Sequence, residues 1–150
     1  MAAFFPTALD NLIDKFAMLP GIGKKSAQRL AFFVLGLPEG EAESFAKAII
    51  DARATVHTCS VCQNLTDAEI CPICSSDKRD RGLICVVAEP RDVASIERGH
   101  EYNGLYHVLH GVLSPLSRIG PDDLKISELV GRVAEGGVEE VIMALNPDTE

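Results

Sequence analysis

Along the first 56 residues, apolar side chains recur at intervals of three and four. Leu9, Leu12, Ile13 and Phe16 set a helix over residues 7–18, and Pro20, Gly21 and Gly23 break it. A second helix is predicted over 24–35, burying Ala27, Leu30, Ala31 and Val34, with Gly36 and Pro38 as its stop. A third, over 39–56, lines up Ala42, Phe45, Ile49, Ala52 and Val56 as its buried face. Residues 57–74 carry four cysteines, and 75–82 (SSDKRDRG) read as a charged linker. The pattern then changes. Residues 83–88 form an unbroken apolar run of strand length, as expected of a strand covered on both faces. Pro90 suits the first turn of a helix through Ile96, and 105–109 form a second strand. After a loop rich in Gly, Pro and Ser, a helix over 125–135 carries Ile126, Leu129, Val130 and Val133, and 140–145 make a third strand. Strands alternating with helices point to a parallel sheet.

Composition adds little to this picture, and charge adds more. Of the 150 residues, 47% are hydrophobic and 24% charged, as in ordinary folded chains. No apolar run approaches the ~20 residues needed to span a bilayer, and MAAFFPTALD lacks the parts of a signal peptide. We therefore read the protein as cytoplasmic, with no membrane contact. The formal net charge of -8 argues at first against nucleic acid. However, residues 1–36 hold four bases (Lys15, Lys24, Lys25, Arg29) against two acids (Asp10, Asp14), and the acidic excess lies in the rest. Local patches decide phosphate contact, so a nucleic-acid surface is expected to be narrow and close to the N-terminus.

Four of the five cysteines fall in the spacing Cys-x2-Cys-x8-Cys-x2-Cys: Cys59, Cys62, Cys71 and Cys74. Each pair sets two thiolates on one tight turn, and two such turns complete a tetrahedral shell for Zn2+ with no position left for water or substrate. One structural zinc per chain is expected. Paired redox cysteines and an iron–sulfur cluster are the alternatives, and the cytosolic setting and symmetric spacing favour zinc over both. Asn64, Asp67 and Pro72 supply turn residues around the two pairs. Cys85 lies inside the apolar run and reads as a buried small hydrophobe. His57 is either a donor behind the metal site or a surface residue at a helix end.

The string LPGIGKKSA between the first two helices resembles the helix–hairpin–helix motif of non-sequence-specific DNA-binding proteins. Gly21 and Gly23 allow a tight turn and leave the backbone uncovered, with Ile22 as an anchor into the core. The amides opening the next helix then face outward, where its dipole favours an anion. Lys24 and Lys25 follow at once, and Lys25 and Arg29 share a helix face four residues apart. Such contacts grip phosphates without reading bases. The plain alternative is an ordinary helix connection with solvated lysines.

Two further groups sit at strand ends, where ligands gather in open parallel sheets. Glu89 follows the first strand, and Asn146-Pro147-Asp148 follows the third. This arrangement resembles the Toprim fold of topoisomerases and bacterial primases, in which a Glu and an Asp-x-Asp hold Mg2+. Here Asn146 replaces the first aspartate. Mg2+ needs carboxylates, so Glu89, Asn146 and Asp148 read as a degenerate site or as solvated loop residues. Tyr102, Tyr106, His107 and His110 read as core or surface residues.

The order of the parts, together with the strings LPGIGKKSAQRLAF, CSVC and CPIC, RDRGLICVVAEPRDV, EYNGLYHVLHGVLSPL and VIMALNP, resembles the bacterial RecR family of recombination mediators. The resemblance implies an α+β multi-module fold: a helical helix–hairpin–helix region (1–56), a four-cysteine zinc finger (57–76) and a Toprim domain (77–150) incomplete at its C-terminus. It also implies a protein without catalytic residues that works with RecO and RecF to load RecA on single-stranded DNA. By motif position, Gly21, Gly23, Lys24, Lys25 and Arg29 are the DNA-contact candidates. Family members assemble as dimers or ring-like tetramers. The sequence reads as truncated after the third strand, so a dimer is expected for this chain and a tetrameric ring for a longer one. The competing reading is a Mg2+-dependent Toprim nuclease or primase-like enzyme using Glu89 and Asp148.

Overall fold

The structure, a computed structural model, describes residues 4–146 and divides into two compact units, residues 1–54 and 55–150. In the first unit, α1 (Thr7–Ala17) and α2 (Lys24–Leu35) pack against each other. Leu9 of α1 and Ala27 and Ala31 of α2 are buried. Two alanines four residues apart on one face let the helix backbones approach closely. Phe5 closes one side through an edge-on contact with Phe32, ring centroids 5.7 Å apart. Helix α3 (Glu41–Thr55) departs from expectation, for none of its residues is buried. Phe45 and Ile49 of its predicted face are exposed to solvent, as is Val56 just past its end. Helical periodicity marks an apolar stripe, but nothing among the described residues covers it.

The second unit begins with a small antiparallel pair, β1 (His57–Thr58) and β2 (Leu65–Thr66). Its main body is a parallel three-stranded sheet in which β3 (Asp80–Val87) lies between β4 (Gly104–Val108) and β5 (Glu140–Ala144). Helices α4 (Pro90–Glu97) and α5 (Ile126–Ala134) complete the β–α alternation. Side chains alternate along β3 between two clusters. Cys85 and Val87 pack with Val93 of α4, Tyr106 and Val108. Ile84 and Val86 pack with Leu109, against Ile126 and Leu129 of α5. Because both faces are covered there, residues 83–87 of the strand are apolar without alternation. Strand β5 lies at the sheet edge, and all five of its residues are exposed.

The expected linker over 75–82 is only partly a linker. Strand β3 starts at Asp80, which pairs with Gly104, and the register shifts before Ile84 pairs with Leu105. Charge in the sequence hides this start. Arg79 is also far from solvated: its guanidinium donates to Glu97 Oε1 at 2.9 Å and to the carbonyls of Tyr102 (3.2 Å) and Gly104 (3.3 Å). Tyr106 adds its hydroxyl to the same carboxylate at 2.7 Å. The Arg79 cation holds the Glu97 carboxyl below the usual carboxylate range.

Candidate metal centre and nucleic-acid interface

The cysteine segment builds two turns of the same design. The amide of Gln63 donates to the Cys59 carbonyl at 3.0 Å, and that of Ser75 to the Cys71 carbonyl at 3.0 Å. In each turn the residue after the second cysteine thus closes back on the first. Gln63 adopts a left-handed φ of 62°, a role that no local signal in the sequence assigns to it. The turns bring Cys59, Cys62, Cys71 and Cys74 together, all buried, with their sulfurs within 4.8 Å of one another.

Four thiolates at ~2.3 Å from a tetrahedral Zn2+ lie ~3.8 Å apart, and Cys62 Sγ and Cys71 Sγ are 3.6 Å apart. That separation is far beyond a disulfide of ~2.05 Å. The Cys71 amide points at Cys59 Sγ (3.3 Å), a donor suited to a thiolate. Crowding also polarises the set: Cys71 is held low by hydrogen bonds from Cys62 and Cys74, while Cys62 is pushed up by its bonds to Cys71 and Cys74 and by burial. Four sulfurs that cannot all ionise unaided are the donor set that a dication relieves. The quartet fits one structural zinc, which when bound supplies cross-linking and no open coordination position. His57 is exposed in β1, with Nδ1 2.9 Å from the carbonyl of Thr55, the last residue of α3.

The zinc segment is joined to the sheet. The Val108 amide at the end of β4 donates to the Cys62 carbonyl at 2.8 Å, and His110 Nε2 lies 2.7 Å from the Gln63 carbonyl. Ile73 packs on both the sulfur cluster and the sheet core around Cys85 and Tyr106. None of these joints is visible as a motif in the sequence.

In the first unit, Pro20 and Gly21 occupy the middle of a turn closed by the Ile22 amide on the Leu19 carbonyl at 3.1 Å. Gly21 has φ 78°, as the third position of a type II turn requires. Gly23 differs from expectation. Its φ of −78° and ψ of 163° are open to any residue, and a Cβ there meets nothing within 4 Å. Its value lies in uncovered backbone, not in torsional freedom. It is the N-cap of α2, without a side-chain cap, and no acid stands in the first helical turn. The opening amides of α2 therefore carry the dipole's positive end toward solvent. Lys24, Lys25 and Arg29 are all exposed, and the ion pairs found among the described residues involve none of them.

These two segments match known families. Residues 9–53 match a family model for the RecR helix-hairpin-helix, and residues 56–76 one for the RecR four-cysteine zinc finger domain. Residues 82–150 match the Toprim domain model. The chain belongs to the RecR family. Membership makes it a DNA-binding protein of recombination and repair, and places one structural zinc on its four clustered cysteines.

Of the Toprim strand-end candidates, Glu89 and Asn146 are among the described residues. Val87 pairs with Ala144, so Glu89 and Asn146 each follow two residues beyond a register pair on adjacent strands. Glu89 is the N-cap of α4 and forms an ion pair with Arg91 at 2.5 Å. Asn146 is exposed, and Asp148 lies outside the described residues. Tyr106 and His107 are fully buried; His107 Nε2 donates to the Lys125 carbonyl at 2.8 Å, and Tyr102 stacks edge-on against Tyr106. Cys85 is buried, which pushes its thiol up. Among the described residues, no helix is long and apolar enough to cross a membrane.

Proposed function

We propose that this protein is a non-enzymatic recombination mediator that holds DNA by its phosphodiester backbone and works with RecO and RecF to place RecA on single-stranded DNA in the cytoplasm. The observation that carries the reading is the surface at the start of α2: an uncapped helix N-terminus behind Gly21 and Gly23, with Lys24, Lys25 and Arg29 exposed beside it. Amides and dipole receive one phosphate oxygen, and the cations flank the same strand. Phosphate contacts of this kind read no base edge, so binding is expected to be insensitive to sequence.

The remaining parts serve this surface without chemistry of their own. Zinc fastens the cysteine segment to the sheet, and the Glu89 carboxylate is already balanced by Arg91. The exposed Phe45, Ile49 and Ile50 of α3 support self-association as a dimer. The test is RecA filament assembly on single strands coated with their binding protein. Adding this chain with RecO shortens the lag, and the Lys25→Ala, Arg29→Ala form does not. Equal stimulation by both forms would remove the hairpin from the mechanism.

A further inference from the structure

Beside the phosphate-gripping hairpin, α2 presents a cleft of about 510 Å³ lined by Ile22, Ser26, Arg29, Leu30 and Phe33. Its size falls in the ~300–1,000 Å³ range of small-ligand pockets. Phe33 is 67% exposed, a large share for an aromatic ring on a helix otherwise packed through Ala27 and Ala31. It lies one helical turn beyond Arg29, which in turn lies one turn beyond Lys25. A cation, a second cation and an exposed ring thus succeed one another along one face. Ile22 and Leu30, both partly buried, form the apolar floor, and Ser26 adds a hydroxyl.

We infer that this cleft receives one unpaired nucleobase, stacked on Phe33, while Arg29 and Lys25 hold the phosphates on either side of it. The inference deepens the DNA-binding reading above and depends on it. Surfaces that hold single strands combine a cationic track with aromatic faces, because every base offers a ring face whatever its identity. In a duplex those faces are already stacked on neighbours, so Phe33 has nothing to take and only the backbone grip remains. The charge of the cleft argues for this occupant over a second copy of the chain. Its lining holds a cation and no acid, and a two-fold contact over it would bring the same cationic patch from both subunits together.

The experiment uses the whole zinc-loaded chain and three fluorescent probes of equal phosphate number: an oligothymidylate, an abasic deoxyribose-phosphate chain and a blunt duplex. Phe33→Leu keeps the apolar bulk and removes the ring. It is expected to weaken the oligothymidylate by about five-fold or more while leaving the other two within about two-fold, and Phe33→Tyr restores binding. An equal effect on all three probes, or none on any, overturns the pocket. So does a fall in molar mass by light scattering that accompanies the loss, because the face then joins subunits. The Lys25→Ala, Arg29→Ala form separates the two levels. It lowers all three probes together if the backbone grip is correct, and leaves all unchanged if the DNA reading itself is wrong.

Discussion

Placing an aspartate at position 23 should move stability and DNA affinity in opposite directions. Gly23 has the extended torsions of an N-cap, φ −78° and ψ 163°, and its added Cβ meets nothing within 4 Å. A carboxylate there can accept from the amides of Lys25 or Ser26, which no side chain now caps. The cap contributes a few tenths of a kcal/mol over glycine, and charge against the helix dipole about 0.3–1 kcal/mol more. Gly23→Asp is therefore expected to stabilise the fold by about 0.5–1 kcal/mol in urea denaturation. The same carboxylate fills the position proposed for a phosphate and repels it. Loss of roughly ten-fold or more in DNA affinity is expected, equivalent to about 1.4 kcal/mol. Fluorescence anisotropy at low salt reads the second effect. A variant that is more stable and binds DNA as well as the parent would show that the phosphate lies elsewhere. A variant destabilised by more than about 1 kcal/mol would show that the space around Gly23 is filled.

Zinc removal by a chelator, or Cys62→Ser, should lower the melting temperature and speed hydrogen exchange at the Val108 amide, which is bonded to the Cys62 carbonyl. Zinc affinity should fall as pH falls, since each ligand sulfur must shed its proton. A double-mutant cycle of Arg79→Met and Glu97→Gln should give a coupling of about 1–3 kcal/mol, because their side chains are only 17% and 28% exposed; additive effects would mean that the pair is solvated. Burial lowers the pKa of His107 from its ordinary 6.5. The unfolded chain then takes up a proton that the folded chain refuses. Stability is lost as pH falls through and below 6.5, and His107→Gln should flatten that slope relative to the parent. A His107 ring that titrates by NMR at or above 6.5 would contradict this.

Elements whose signals are local are legible in the sequence. Helix α2 is bounded by Gly23 and Gly36, and such breakers near both ends are local signals of its span. The zinc ligands are legible because a metal demands fixed residue types at fixed spacing. What stays hidden depends on partners distant in the chain. Asp80 belongs to β3 only because Gly104 lies beside it, and Arg79 is held by Glu97, 18 residues further on. Helix α3 shows the converse: its apolar stripe is real, but periodicity cannot say whether anything covers it. The exposed ring of Phe33 is hidden for a related reason. An aromatic in a helix beside alanines reads as core until the packing is seen.

If cations and amides at the start of α2 grip the DNA backbone, binding must weaken with salt in a defined way. Log affinity for duplex DNA should fall linearly with log salt concentration, alike for unrelated sequences. The Lys25→Ala, Arg29→Ala form should give a slope shallower by about 1.8, from two phosphates at ~0.9 each. An unchanged slope, with affinity retained, would place the DNA backbone away from α2.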